Sequence, residues 1–214
     1  MILIGQYDSP FVRRVGIALR EYGLPYEHQR WSVWGDADKI AAHNPLRRVP
    51  TLLLDDGTSL IESGAILDTL DEMVGPTRAM LAREGVPRRE ALRVIALATG
   101  TADKAVSLLY EPLHRTHPSE SWMARCRLQI GDGLRALEED RARRATGWWL
   151  GGPLSHADVA VGCLLRFVGE AHPQLLEAAR CPRLLEHAAR CEARASFQEI
   201  SQPLVNNVQP ESKP

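Results

Sequence analysis

The sequence contains no run approaching the roughly 18 apolar residues that a membrane span requires, and its opening, Met1-Ile2-Leu3-Ile4-Gly5-Gln6, carries no basic leader. A soluble cytoplasmic protein is the expectation. Neither sign of charge is in excess, with 26 Lys+Arg against 27 Asp+Glu, so nothing draws the chain globally to phosphate backbones or anionic lipid. Nucleic acid and membrane are therefore not expected partners. Cysteine is scarce: Cys126, Cys163, Cys181 and Cys191 all lie in the second half and form no CxxC unit. That spacing encodes neither a paired-thiolate metal site nor a redox dithiol, and the four read as reduced thiols packed between helices. The seven histidines are scattered, apart from His114 and His117 in a turn-rich segment, and no metal is expected.

What is present is a balanced, 44% hydrophobic chain of 214 residues, long enough for one large domain or two small ones and too apolar for a disordered tail. The two halves follow different patterns. Ile2 to Ile4 and Tyr26 to Trp31 read as strands, separated by a helical stripe of Val12, Val15, Leu19 and Tyr22. Gly23 stands where a left-handed helix cap belongs, and Pro25 stops the helix from resuming. A short helix over Ala37 to His43 follows. Two strands, Thr51 to Leu54 and Ser59 to Ile61, then flank Asp55-Asp56-Gly57-Thr58, whose Asp-Gly step suits a tight hairpin. A helix from about Gly64 to Val74 places Ile66, Leu67, Leu70 and Met73 on its buried side. The order is βαβαββα, occupying residues 1–76.

Residues 77–87 read as a linker, because the hydrophobic period lapses and Gly75, Pro76, Gly85 and Pro87 punctuate the region. Residues 88–202 are helical in pattern. One helix is expected from Arg88 to about Leu113, another on the stripe Trp122, Cys126, Ile130, Leu134 and Leu137, and further helices over Asp158 to Val168, Leu175 to Arg180 and Pro182 to Ala195. Residues 203–214 read as a loose tail. Within Leu154-Ser155-His156-Ala157-Asp158-Val159, Ser155 and Asp158 form a capping box and Leu154 and Val159 a hydrophobic staple, which fixes a helix start.

Three segments have a chemical reading beside a structural one. In Tyr7-Asp8-Ser9-Pro10-Phe11, Ser9 is an N-cap and Pro10 the first helical residue. The same geometry sets a hydroxyl beside free amides and the positive end of a helix dipole, which favours an anion such as a thiolate. In Asn44-Pro45-Leu46-Arg47-Arg48-Val49-Pro50, a cis Val49-Pro50 bond leaves the Val49 amide and carbonyl free to pair with an extended peptide. At Glu62-Ser63, Ser63 is either another N-cap or, with Glu62 and free helical amides, part of a clamp for the charged ends of an amino acid.

These segments, their order and the all-helical second half resemble the cytosolic glutathione S-transferase family over about residues 1–200. Ser9-Pro10-Phe11-Val12-Arg13 is similar to the segment of one bacterial group. The resemblance implies an N-terminal thioredoxin-like domain (α/β) and an all-α helical-bundle domain, a homodimer, and glutathione as co-substrate. It implies that Ser9 faces the glutathione sulfur, with Tyr7 the alternative; that Arg48 and Val49 pair with the cysteinyl backbone, with Phe11 and Pro50 also in the glutathione site; and that Glu62 and Ser63 clamp the γ-glutamyl end. Leu109, Tyr110 and His114 would line the pocket for a small hydrophobic electrophile. The glycyl carboxylate has no assigned partner, since Trp34-Gly35-Asp36 stands where some relatives carry a lysine.

With serine rather than cysteine at position 9, no mixed disulfide forms there, so conjugation or peroxide reduction is favoured over thiol exchange. A thiol of pKa near 8.5 is only a few per cent ionised at neutral pH, and lowering it by about two units takes roughly 2.7 kcal/mol of preferential thiolate binding. Ser9 is read as a hydrogen-bond donor to that thiolate, because no G-x-S-x-G elbow or His/Asp partner marks a nucleophilic serine. A non-catalytic member of the same fold, binding a ligand or a protein, is the alternative.

Overall fold

The computed structural model describes residues 1–144, 147–176 and 181–204. It opens with β1 (Ile2–Ile4), α1 (Pro10–Tyr22) and β2 (Glu27–Gln29), a parallel crossover with Ile2 opposite Glu27. The boundaries of α1 follow from its sequence. Ser9 caps it by accepting from the Val12 amide, Pro10 fills the first position, and Gly23 at φ 62° ends it. The Leu24 amide then donates to the Leu19 carbonyl at 3.0 Å, closing a Schellman turn. Val12, Val15, Leu19 and Tyr22 are all buried, as their spacing requires.

After α2 (Ala37–Ala41), β3 (Thr51–Leu53) and β4 (Ser59–Ile61) complete a four-stranded sheet in the order β2-β1-β3-β4, with β3 antiparallel to both neighbours. The helix α3 (Ser63–Val74) packs its Ile66, Leu67 and Leu70 into the same core as α1 and the sheet residues Leu3 and Leu52. This is the expected thioredoxin-like arrangement. The hairpin differs in detail: Gly57, at φ 88°, alone supplies a positive φ, and its amide donates to Leu54 while the Leu54 amide donates to Thr58. That is a type I turn with a glycine bulge rather than a two-residue loop.

The second half comprises α4 (Gly85–His114), α5 (Glu120–Ala142), α6 (His156–Ala171), a 3-10 turn (Pro173–Leu175), α7 (Pro182–Glu192) and α8 (Ala195–Glu199). The helix α6 lies at its centre, buried without interruption from His156 to Leu165. The small residues Ala98, Ala102 and Ala105 let α4 approach the core formed with Ile130, Leu134 and Leu137 of α5. The start of α6 is fixed by the capping box: the Asp158 Oδ2 accepts from the Ser155 amide at 2.9 Å. Leu154 and Val159, the staple pair, are buried in the core that α1 shares. The Asp158 Oδ1 also accepts from the buried Trp149 amide at 2.7 Å.

The two halves are bonded side chain to side chain. Asp71 of α3 accepts from the Tyr22 hydroxyl and from the Leu81 amide at 3.1 Å, and it meets His156 of α6. Arg13 of α1 makes a bidentate pair with Glu192 of α7, at 2.8 and 2.9 Å, and donates to the carbonyls of Ile200 and Phe197. None of the four cysteines is in a disulfide, and all are buried.

Several expectations are corrected. The strand over Tyr26 to Trp31 contracts to Glu27–Gln29, and α4 begins at Gly85, so the last three residues of the expected 77–87 linker are helical. Met80 and Leu81 within that linker are anchored by the Asp71 carboxylate. Met73, expected inside, is 50% exposed, and Trp122, on the expected buried stripe, lies at the surface with the Lys104 ammonium over its ring. In both cases the helix turns an apolar residue outward from an otherwise correct stripe. Of the helix expected over Leu175 to Arg180, Leu175 closes a 3-10 turn and Leu176 is not helical, while residues 177–180 lie outside the described residues. The expected last helix ends at Glu192, and α8 follows as a separate element. Of the 203–214 tail, Pro203 and Leu204 are described; the Leu204 amide donates to Glu170 at 2.8 Å, and the rest lies outside the described residues. Among the described residues no helix is long and apolar enough to cross a membrane.

Candidate active site

A cleft of about 570 Å³ opens between the sheet-side loops and the C-terminal half of α4. Ser9, Phe11, Arg48 and Val49 line it from the first half, and Leu109, Tyr110 and His114 from α4. Three segments far apart in sequence therefore converge on one cavity. Ser9 is held by its cap geometry: its Oγ accepts from the Val12 amide at a long 3.4 Å, and among the described residues its hydroxyl hydrogen has no acceptor. Pro10 has no N–H, the Phe11 amide lies in the first turn where helices leave amides unserved, and no acidic residue stands in that turn. The entrance of α1 therefore presents a donor hydroxyl and the positive end of the helix dipole to the cleft, whose lining also includes the Asp8 carboxylate.

The Val49-Pro50 peptide is cis, and neither the Val49 amide nor its carbonyl has a hydrogen-bond partner among the described residues. Pro50 itself is buried outside the cleft lining. Val49 sits against Gly5, where an added Cβ would come within 2.8 Å of the Val49 Cβ and 2.6 Å of the Val12 Cγ2. Only glycine leaves room for that close approach. Asn44 fixes the approach to this segment, donating to the Arg48 carbonyl at 2.8 Å and accepting from the Leu46 amide at 3.0 Å.

Glu62 and Ser63 stand outside the cleft lining, joined to it through Arg48, whose Nη1 lies 3.6 Å from the Glu62 Oε1. The capping position belongs to Glu62, at φ 68° and without a side-chain cap bond, while Ser63 is the first helical residue of α3. The Ser63 Oγ accepts from Arg14 at 3.3 Å. Tyr7 is turned away from the cleft. Its hydroxyl lies 2.7 Å from that of Tyr26 and its ring stacks on His28 at 3.9 Å. Burial and the bond to Tyr26 push its pKa well above the ordinary tyrosine range, so Tyr7 remains a neutral phenol.

Two descriptions of known families match this chain: "Glutathione S-transferase, N-terminal domain" over residues 3–78 and "Glutathione S-transferase, C-terminal domain" over residues 120–190. A crystal structure of a glutathione S-transferase from Methylobacterium radiotolerans, in complex with glutathione sulfonate, is similar at a TM-score of 0.87 and 32% identity, covering 97% of this chain and 98% of that one. The chain belongs to the glutathione S-transferase family. A second member, from Methylobacillus flagellatus with glutathione bound, is similar at a TM-score of 0.86 and 29% identity over 95% of this chain and 99% of that one. The uncharacterized GST-like protein YibF of Escherichia coli is 27% identical over 209 residues, covering 95% of this chain and 99% of that protein.

The aromatic wall of this family member's cleft is not legible in the sequence. Trp34, 54% exposed ahead of α2, stacks on His114 at 3.6 Å and meets Tyr110 edge-on at 5.3 Å. This arch joins the first half to α4 across the cleft. Trp31 lines the same side, with its ring 6.0 Å from that of His43. Leu204 reaches the cleft from the far end of the described chain. The Trp34-Gly35-Asp36 step marked a departure from relatives but carried no spacing signal for a partner about eighty residues away. Tyr110 is neutral, because burial raises its pKa above the ordinary value.

Proposed function

We propose that this protein is a glutathione transferase that binds glutathione in the cleft, stabilises its thiolate with the Ser9 hydroxyl and the first turn of α1, and delivers it to a small hydrophobic electrophile or hydroperoxide. The observation that carries the reading is the convergence of a free donor hydroxyl, the unpaired backbone of Val49 and the apolar face of α4 on one cavity. Relatives holding glutathione or its sulfonate support the choice of ligand. Val49 pairs with the cysteinyl backbone as an added strand, with Arg48 beside it. Glu62 takes the γ-glutamyl ammonium and Ser63 its carboxylate. Ser9 donates to sulfur rather than attacking anything itself. The geometry of Tyr7, committed to Tyr26 and His28, favours Ser9 over it.

The electrophile lies against Leu109, Tyr110 and His114, where the Trp34 arch supplies a flat apolar surface. The protein works in the cytoplasm as a homodimer. Exposed Met73 at the end of α3, with Val86 and Leu92 at the start of α4, supplies apolar area for a second copy to cover. Calorimetry with millimolar glutathione, followed by turnover assays with a panel of electrophiles and hydroperoxides, tests the reading. Binding with turnover supports it. Binding without turnover leaves a ligand-binding relative, and absence of both on folded protein overturns it.

A further inference from the structure

Beneath the first turn of α3 lies Arg14, a residue of α1 that is 3% exposed. Its neighbour Arg13 is fully engaged by Glu192, but Arg14 has no carboxylate within ion-pair distance among the described residues. Its Nη1 donates to the Ser63 Oγ at 3.3 Å, and its buried Nε has no acceptor. The groups that feel its charge are the Cys163 thiol, His156 and Glu62. The first two are neutral, and the Glu62 carboxylate is 61% exposed and turned toward Arg48. Burial lowers the guanidinium pKa to about 10, which leaves it protonated at neutral pH. The fold therefore buries a positive charge that it does not itself neutralise, an arrangement that ordinarily opposes folding.

That charge is aimed at the positive end of a helix dipole, whose capping residue Glu62 turns its carboxylate out toward Arg48. The helix α3 runs for 12 residues with no acidic residue in its first turn, and its opening amides have no helical partner. The Ser63 hydroxyl sits between the two. Because its oxygen accepts from Arg14, its hydrogen is left to donate on the other side.

We propose that Arg14 is a positioning residue: it commits Ser63 to donate to a ligand carboxylate at the entrance of α3, and that carboxylate supplies the counter-charge which the fold leaves out. The inference rests on the glutathione reading, in which the carboxylate is the α-carboxylate of the γ-glutamyl residue. Arg14 acts through Ser63 and through its field, without touching the ligand.

The test compares two ligands on three proteins. Dissociation constants are measured for glutathione, and for the analogue in which a hydrogen replaces the γ-glutamyl α-carboxylate, on the unmodified protein, Arg14→Met and Arg14→Lys. Arg14→Met is expected to weaken glutathione about tenfold, the size of one charge-assisted contact, to leave the analogue within about twofold, and not to lower the melting temperature of the ligand-free protein. Arg14→Lys, which keeps the charge, is expected to retain most of the preference for glutathione. Equal loss for both ligands, or failure of Arg14→Met to fold, makes Arg14 a structural residue and overturns the inference, as does unchanged glutathione affinity. If the unmodified protein binds neither ligand, the glutathione reading fails and takes this inference with it. If it binds glutathione and Arg14→Met binds it equally well, only this inference fails.

Discussion

The His156 Nε2 lies 3.0 Å from the Asp71 Oδ1, so the first residue of α6 is bonded to α3 across the junction of the two halves. The bond assigns the proton of the neutral ring to Nε2, and the buried Nδ1 has no partner. Burial dominates over the attraction of Asp71 and holds the His156 pKa below its ordinary 6.5. Burial works against ionisation of Asp71 too, but the bonds from His156, Tyr22 and the Met80 amide outweigh it and keep the carboxylate charged.

A pH dependence of stability follows. A histidine whose folded pKa is depressed takes up a proton on unfolding, so its contribution is complete above the unfolded value of 6.5 and is lost as pH falls below it. His28 and His172 are lowered in the same direction by burial. The unfolding free energy is therefore expected to fall between about pH 6.5 and 5. His156→Gln, which can keep the bond to Asp71 without titrating, is expected to reduce the slope by up to about 1.4 kcal/mol per pH unit. Denaturant melts across that range measure both slopes, and equal slopes would contradict the assignment.

The Trp34–His114 stack is expected to shape the electrophile side of the cleft and leave the glutathione side alone. Trp34→Ala removes an exposed ring worth about 0.5 to 1.5 kcal/mol in stacking. It is expected to raise KM for an aromatic electrophile by roughly two- to tenfold with little change in KM for glutathione. Steady-state kinetics with each substrate varied in turn separates the two. A rise confined to glutathione would place Trp34 at its glycyl end instead.

Asp158, fully buried, accepts from the Ser155 amide and the Trp149 amide. Asp158→Ala leaves both amides unserved and is expected to cost roughly 2 to 4 kcal/mol, against about 1 kcal/mol for Ser155→Ala, which removes the cap and the hydroxyl's bond to Asp158 but leaves both amides served. Urea denaturation ranks the two. The reverse order would mean that the Trp149 amide contributes nothing.

Glu62 is expected to anchor the far end of the ligand. Glu62→Ala should weaken glutathione about tenfold, a typical loss for one charged contact, while leaving the apparent pKa of the bound thiol unchanged, because the charge removed stands beyond Arg48 from Ser9. Titration calorimetry and a pH series on the same protein measure the two effects independently.

The strands, the βαβαββα succession and most helices were legible because their signals are local. Ser9, Gly23, Gly57, Ser155 and Asp158 each act within a few residues of themselves. Ser9 and Val49 could be nominated from a cap and a proline and the α4 residues from the family resemblance, and the fold brings them to one cavity. What could not be read were relationships without periodicity. Trp34 finds His114, Arg13 finds Glu192 and Arg14 finds Ser63 across separations fixed only by tertiary packing. Arg13 and Arg14 look like solvated charges in the sequence, yet both are buried, because α1 is covered on one side by α3 and on another by α6. Met73 fits a helical stripe but is exposed at the end of its helix; its position in the three-dimensional fold, rather than periodicity, decides its burial.

The central claim is that Ser9 holds the thiolate of glutathione, and the most direct measurement is the thiolate absorbance of bound glutathione as a function of pH. On the unmodified protein the apparent pKa is expected well below the free value of about 8.5. On Ser9→Ala it is expected to rise toward that value, with the glutathione dissociation constant nearly unchanged and a stability loss of only about 1 kcal/mol from the missing cap. Tyr7→Phe is expected to leave the titration where it was, since its hydroxyl is bonded to Tyr26. A Ser9→Ala titration that overlays the unmodified one would contradict the account, and a shift produced by Tyr7→Phe instead would move the sulfur contact to Tyr7.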